Sequence, residues 1–232
     1  MSYRVTRPAL LLNRPHTEVF RGNAIPRERG LFIALEGVAL AGTTLHCLEE
    51  YESCLRVDSE IFGKGLYIDR RCVEKGLGER PILPPRDAIL HRMESLLGVP
   101  YVWGGNAYPG LPEMLTWWPP SGPLSDSERI QWTAAGVDCS GLLYQATNGA
   151  VPRNTRDLVH WGRELPRKLS ALEPLDMIVW PGHVVFVGSR GQALESRFSK
   201  GGVVESNLEE RLAEILRERG DHVWFRRISS LQ

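Results

Sequence analysis

Short apolar blocks, separated by glycine and charged residues, fill the first third of the chain. Strand-forming residues occupy the blocks at 31–35, 43–48, 54–57 and 65–68. Short strands broken in this way are typical of a small β-barrel. The stretch 76–85 is rich in proline and glycine, which resist both helix and strand, and we interpret it as a linker. We therefore predict a β domain over residues 1–80.

The pattern changes after the linker. Five apolar residues then share one face at helical spacing: Ile89, Leu90, Met93, Leu96 and Leu97. Further segments have helical patterns, at 140–147, from 154 or 155, and at 205–219, and others have strand patterns, at 176–180, 183–188, 192–196 and 223–228. Helices that precede consecutive strands favour an α+β fold over a doubly wound sheet. We predict this second domain over residues 81–232.

Residues 106–136 contain five prolines and predict a long loop, with at most a short helix near 127–135. Loops of this length inside a compact domain tend to be functional or mobile. Trp117 and Trp118 lie within it. They either form one wall of a binding groove or anchor the loop in the core, and the sequence leaves both roles open.

The charge balance excludes some partners. The 232 residues include 28 Lys and Arg and 28 Asp and Glu, so the formal net charge is zero. Nucleic-acid binding usually shows a basic excess, and we predict no such partner. No window approaches the run of about 20 apolar residues that a membrane helix needs. The apolar patch at 9–12 is too short for a signal-peptide core, so we expect a cytoplasmic protein, with a secreted or periplasmic location left open.

The cysteines do not form a disulfide framework. The chain has four of them, Cys47, Cys54, Cys72 and Cys139, and if one is a catalytic thiol the other three cannot all pair with each other. Cys47, Cys54 and Cys72 also lack zinc-finger spacing. We predict neither a metal nor another cofactor.

Cys139 is the first candidate for chemistry. It lies in Asp138-Cys139-Ser140-Gly141, where a loop enters the predicted helix 140–147. A free thiol is only a few per cent thiolate at neutral pH, but a helix N-terminus and an imidazolium both favour the thiolate. The ordinary alternative is a small buried thiol that packs under a helix.

His183 and Glu195 are candidate partners. His183 begins an apolar run directly after Pro181-Gly182, so it can face a cleft while its neighbours fill the core. If adjacent antiparallel strands carry the two residues, Glu195 can reach the imidazole Nδ1 and orient the ring. The alternatives are a strand-edge histidine with a satisfied hydrogen bond and an exposed glutamate at a strand end.

Five segments in order resemble the NlpC/P60 family of papain-like peptidases: Tyr-x-Trp-Gly-Gly at 101–105, Asp-Cys-Ser-Gly at 138–141, Pro-Arg-x-Thr at 152–155, Asp-Met-Ile-Val-Trp at 176–180 and Gly-His-Val-Val-Phe-Val at 182–187. The resemblance runs from about residue 86 to 228. It implies that Cys139 is the nucleophile and His183 the general base. It also implies that Tyr101 lies near the nucleophile and helps the oxyanion hole, with a core aromatic as the alternative.

The resemblance further implies a set of residues that line the substrate cleft: Trp103, Asp138, Ser140, Arg153, Asn154 and Thr155. Helix capping is the alternative role for four of them, Asp138, Ser140, Asn154 and Thr155. The chain departs from the family pattern at Glu195, where histidine is more frequent, and at Leu175, where glycine is usual. The stretch between Gly105 and Asp138 is also longer than is typical.

The resemblance implies a hydrolase of peptidoglycan-derived peptides that cleaves between γ-D-glutamate and diaminopimelate. Residues 1–80 resemble, more weakly, bacterial SH3-like domains. In some relatives such a domain closes one end of the groove, so that only short peptides with a free N-terminal L-alanine fit, as murein peptide recycling requires. Two alternatives stay open: an amidase or acyltransferase on a non-murein substrate, and a non-catalytic cell-wall-binding protein. The sequence does not define the oligomeric state.

Overall fold

The computed structural model of the chain describes residues 1–21, 25 and 27–228. The first sheet has seven strands, in the order β3-β2-β6-β5-β4-β1-β7. They are β1 (Ser2–Val5), β2 (Ala9–Leu12), β3 (Leu35–Ala39), β4 (Thr44–Glu50), β5 (Cys54–Ser59), β6 (Gly63–Asp69) and β7 (Val73–Lys75), with the short helix α1 (His16–Val19) between β2 and β3. All strand pairs of this sheet are antiparallel.

The apolar blocks predicted three of these strands, since 43–48, 54–57 and 65–68 correspond to β4, β5 and β6. The prediction at 31–35 was wrong except for its last residue. Arg29 and Gly30 have φ of 52° and 83° and turn the chain, so Leu31 pairs back with Glu28 instead of entering the sheet. The SH3-like character of this part stays a prediction.

The second part of the chain combines helices with a six-stranded antiparallel sheet, in the order β12-β11-β10-β9-β13-β8. The helices are α2 (Arg86–Glu94), α3 (Met114–Trp117), α4 (Asp126–Trp132), α5 (Cys139–Ala146), α6 (Thr155–Leu158) and α7 (Leu208–Arg219). The strands are β8 (Arg163–Glu164), β9 (Met177–Trp180), β10 (His183–Val187), β11 (Ala193–Arg197), β12 (Gly202–Ser206) and β13 (Trp224–Arg227). The predicted α+β fold class is confirmed.

The predicted helix 205–219 is shorter than expected. Residues 202–206 form β12, which the sequence pattern did not predict, and α7 begins only at Leu208. Asn207 caps the helix, because its side chain accepts a hydrogen bond from Glu210 N at 3.0 Å. The apolar face of α7 then packs on the sheet through Leu212 and Ile215.

α5 is the most buried helix near the centre of the fold. All of its residues except Gln145 are buried, and it packs against α2, β10 and β11. Gly141 permits this position, because a Cβ there would lie 2.0 Å from the backbone oxygen of Gly105. The buried apolar cluster around α5 continues into the first sheet, so Leu142 and Leu55 belong to one core.

The long loop is anchored to the first sheet through its tryptophans. Trp118 stacks on His16 with ring centroids 5.6 Å apart and donates from Nε1 to Asp69 at 3.0 Å. The guanidinium of Arg71 lies 4.3 Å from the ring centroid of Trp117. Trp117 and Trp118 therefore anchor the loop, which is one of the two roles that the sequence left open for them. Across residues 1–21, 25 and 27–228, no helix combines the length and apolar character needed to cross a membrane.

Candidate active site

Cys139 is the first residue of α5, so its backbone N–H lies at the positive end of the helix dipole. The side chain of Asp138 caps the helix by accepting from Gly141 N at 2.7 Å. The Cys139 Sγ lies 4.0 Å from the carbonyl oxygen of Gly182. The motif at 138–141 therefore adopts the loop-to-helix position that the sequence predicted.

The thiol itself differs from the expectation of a stabilised thiolate. Burial raises the pKa of Cys139 to about 12, and the charge of Asp138 adds to the increase. The charge of Arg153 and backbone hydrogen bonds from Ser140 and Val184 act in the opposite direction but are outweighed. Cys139 is only 6% exposed, and desolvation of the anion is the dominant effect. The raised pKa therefore favours the protonated form of the thiol.

His183 begins β10, and both of its chain neighbours contact the thiol region. The carbonyl of Gly182 faces Cys139, and the Val184 backbone hydrogen-bonds to Cys139. Thr155 holds this turn in place, because its Oγ1 accepts a hydrogen bond from Gly182 N at 2.9 Å. Strand β10 thus places His183 beside the N-terminus of α5.

Glu195 lies on β11, the antiparallel neighbour of β10, as the triad prediction required. Its Oε2 lies 2.5 Å from Nε2 of His183. The prediction of an Nδ1 contact was wrong, because the buried carboxylate approaches the Nε2 edge of the ring. This arrangement leaves Nδ1 available on the other edge. The contact fixes the ring orientation, which is the role of the third residue in Cys–His systems.

Arg211 of α7 holds the other side of the Glu195 carboxylate. Its Nε donates to Oε1 at 2.7 Å and its Nη2 donates to Oε2 at 3.0 Å. Burial alone would raise the pKa of Glu195, but the hydrogen bonds from His183 and Arg211 outweigh it and the pKa is lowered. Glu195 is therefore a fixed carboxylate between a histidine and an arginine.

Asp138 is part of a buried network with Arg153 and Ser140. Arg153 donates from Nη1 to Asp138 at 3.0 Å, from Nη2 at 2.6 Å, and from Nη1 to Ser140 Oγ at 2.9 Å. Arg153 is only 2% exposed, so the expectation that it borders the cleft was wrong in this structure. Its guanidinium is turned inward by the carboxylate and supports the residues that flank Cys139.

The remaining predicted site residues have different environments. Tyr101 is half-buried, and burial together with the charges of Asp138 and Cys139 raises the pKa of its hydroxyl, which stays protonated and can donate. Trp103 is exposed. Asn154 stands at the N-cap position of α6 without a capping hydrogen bond, and its amide donates to Ile61 O at 3.5 Å. The capping alternative for Asn154 is therefore not realised.

A groove of about 590 Å³ runs between the first sheet and the start of α6. Asn154, Thr155 and Arg156 line one side, and residues of the first sheet, including Glu36 and Lys64, line the other. Thr155 joins the groove to the turn before His183. The groove presents one acidic and two basic side chains, so it suits a ligand with both kinds of charge.

Sequence reasoning missed two buried polar residues of the site region. Asn106 accepts from Arg153 Nε at 3.1 Å and pairs with the backbone of Val38. Arg211 lies in the segment at 205–219, for which the sequence analysis predicted a helix but no role in the site. A signal existed, because 211 falls at helical spacing with the buried Leu208 and Ile215. Among the described parts of the chain, no group of three or more His, Cys, Asp or Glu side chains is placed to hold a metal ion.

No protein-family model matches the chain. The chain is 33% identical over 125 residues to the peptidoglycan endopeptidase RipB of Mycobacterium tuberculosis, a stretch that covers 51% of this chain and 46% of RipB. The chain thus spans about half the length of the curated relatives that it matches.

Two solved structures are also similar. The peptidoglycan hydrolase RipB from M. tuberculosis is 26% identical, covers 63% of this chain and 65% of its own, and has a TM-score of 0.43. An NlpC/P60 family protein from Bacillus cereus is 18% identical, covers 97% of this chain and 62% of its own, and has a TM-score of 0.41. The sequence similarity to RipB agrees with the resemblance that the ordered motifs indicate.

Proposed function

We propose that this chain, which is similar to NlpC/P60 proteins, is a cysteine peptidase that hydrolyses peptide stems of peptidoglycan. One observation carries the proposal: the 2.5 Å contact between His183 Nε2 and Glu195 Oε2, beside the helix end that bears Cys139. An oriented imidazole next to a thiol at a helix N-terminus is the arrangement that nucleophilic acyl transfer needs.

In the proposed mechanism, His183 takes the proton of the Cys139 thiol through Nδ1 as Sγ attacks the scissile carbonyl. The proton then passes from His183 to the leaving amine, and a water molecule hydrolyses the acyl-enzyme. Because the resting thiol is protonated, proton transfer accompanies the attack rather than preceding it. Glu195 stabilises the imidazolium that forms.

The oxyanion of the tetrahedral intermediate needs preorganised donors. The backbone N–H of Cys139, in the first turn of α5, supplies one in this proposal. The Tyr101 hydroxyl supplies the second, and its raised pKa keeps the donated proton in place. Preorganised donors of this kind lower the barrier because they do not reorganise during the reaction.

We further propose that the bond cleaved lies between γ-D-glutamate and diaminopimelate. Such stems carry several carboxylates, and a free tripeptide also carries the N-terminal ammonium of its L-alanine. The groove beside Thr155 offers Lys64 and Arg156 for carboxylates and Glu36 for an ammonium. We propose a free tripeptide as the substrate, with its N-terminal ammonium paired with Glu36.

The test compares L-Ala-γ-D-Glu-diaminopimelate with intact sacculi, with products identified by mass spectrometry. We expect release of diaminopimelate from the tripeptide, and no release by Cys139→Ala. Cys47→Ala is the matched control, since Cys47 lies on β4, and it should retain activity. Turnover that survives in Cys139→Ala would overturn the assignment, and products from a different bond would overturn the finer proposal.

The burial of Cys139 and the raised pKa of its thiol favour a second candidate, a non-catalytic protein that binds wall peptides. A thiol-directed inhibitor built on the tripeptide separates the two. Selective labelling of Cys139 supports the peptidase. Saturable tripeptide binding without labelling or turnover supports the binding protein.

A further inference from the structure

Glu195 contacts charged side chains besides His183, the residue that it orients. Glu195 is 1% exposed, and it faces His183 from β10, Arg211 from α7 and Arg197 from its own strand, with Arg197 Nη1 3.9 Å from Oε1. Glu214 completes the group by accepting from Arg211 at 2.8 Å and from Arg197 at 3.2 Å.

We propose that Arg211 is a positioning residue for the reaction, which acts on His183 through Glu195; this rests on the proposed function. The geometry supports the assignment. Arg211 uses two nitrogens, one on each carboxylate oxygen, and one of those oxygens is the atom that also meets His183 Nε2. A two-point contact of this kind fixes the rotation of the carboxylate as well as its position.

Two other features separate Arg211 from an ordinary surface ion pair. Its side chain is 7% exposed, against 28% for Arg197. Its third bonded nitrogen, Nη1, is held by Glu214, so the guanidinium has no freedom to follow Glu195 if the carboxylate turns. Arg211 therefore clamps Glu195 in the orientation that directs Nδ1 of His183 away from the carboxylate.

The positive charge has a second effect. Arg211 compensates the charge of Glu195, which limits how strongly the carboxylate holds a proton on the His183 ring. Without that compensation, the His183–Glu195 pair keeps its proton to higher pH, since an isolated buried carboxylate is costly. The neutral imidazole that serves as base is then available only at higher pH.

The test measures kcat/KM for the murein tripeptide against pH in Arg211→Met, Arg211→Lys, Glu195→Gln and the double variant Arg211→Met/Glu195→Gln. We expect Arg211→Met to lower kcat/KM about 10- to 100-fold and to move the acidic limb of the profile to higher pH. Arg211→Lys should recover part of both effects. In the Glu195→Gln background, Arg211→Met should have little further effect.

Arg190→Met is the matched control, because Arg190 also pairs with a glutamate, Glu205, but at an exposed site. A second readout does not need turnover. The proton between Nε2 and Glu195 should give a downfield NMR resonance in the wild type, and this resonance should change its chemical shift in Arg211→Met. If the wild type cleaves no peptide, the proposed function fails while this resonance still decides the role of Arg211.

Two results would overturn the role of Arg211. One is a folded Arg211→Met protein with unchanged kcat/KM, acidic limb and resonance. The other is an equal loss with and without Glu195→Gln. If Arg211→Met does not fold, the role of Arg211 is tested with Arg211→Lys and with the double variant Arg211→Met/Glu195→Gln. Neither of these leaves an unpaired charge beside His183.

Discussion

Arg153 and Asp138 form a two-point ion pair in the interior, with Nη1–Oδ1 and Nη2–Oδ2 distances of 3.0 and 2.6 Å. The same carboxylate accepts from Gly104 N at 3.0 Å and caps α5 through Gly141 N. One buried guanidinium therefore supports the segment that carries Cys139. The pair is structural in this conformation, although both members were predicted to line the cleft.

Arg153→Met should lower the free energy of unfolding by about 3–5 kcal/mol, because it leaves the Asp138 charge buried without its partner. Urea denaturation measures the loss. Arg153→Lys should recover part of it, since the charge returns without the second nitrogen. Arg156→Met is the control, as Arg156 is exposed, and should change stability little. A change below about 1 kcal/mol in Arg153→Met would contradict this account.

Asn106→Leu should also destabilise the fold, by about 3 kcal/mol, because it leaves the buried backbone N–H and C=O of Val38 without hydrogen-bond partners. The Asn106 amide accepts from Val38 N at 2.9 Å and donates to Val38 O at 2.8 Å, and so joins β3 to Arg153. The comparison is urea denaturation of Asn13→Ala, because Asn13 is an exposed asparagine whose amide donates to Ile33 O and to Glu36 Oε1. Equal stability of the two variants would show that the link is energetically neutral.

The sequence predicted the elements around the nucleophile well because local signals agree there. The cap at Asp138, the apolar run after His183 and the spacing to Glu195 each describe a short segment. The atom of His183 that Glu195 meets was not predictable, since it depends on how two strands approach one ring. Leu175 was predictable in part. The sequence showed leucine where the family usually has glycine, and the structure has this residue at φ 72°, in the left-handed region that favours glycine.

What the sequence could not give are contacts between distant segments. Asn106 and Val38 are 68 positions apart, and Arg211 and Glu195 are 16 apart on different elements. The sequence also left open how deeply Cys139 is buried, and this burial raises the pKa of its thiol. Helix dipole and imidazolium effects are visible in a motif, whereas the extent of desolvation is set by the whole fold.

Because of the buried side chain of His16, we expect the free energy of unfolding to fall in mild acid. It is buried with both ring nitrogens unbonded, and burial lowers its pKa from 6.5 to about 4, with Asp69 opposing and Arg71 reinforcing the shift. Between pH 6.5 and 4 the unfolded chain binds the extra proton, so stability is full above pH 6.5 and falls as the pH drops. The loss from this group is about 3 kcal/mol.

His16→Phe keeps an aromatic ring against Trp118 and should flatten this part of the pH dependence. Urea midpoints at several pH values between 7 and 4 measure the slope. His222→Gln, which removes an exposed imidazole, should leave the slope as in the wild type. A steep slope that persists in His16→Phe would assign the acid sensitivity to other groups.

The protonated resting thiol of Cys139 predicts how its reactivity depends on pH. Burial raises its pKa to about 12, so alkylation by iodoacetamide should keep increasing through neutral pH without a plateau. A variant with Cys47, Cys54 and Cys72 replaced by Ala reports on Cys139 alone. In the proposed mechanism, proton transfer to His183 accompanies the attack, so kcat/KM should also be lower in D₂O than in H₂O. A plateau with a midpoint below pH 7, together with no isotope effect, would instead indicate a preformed thiolate–imidazolium pair.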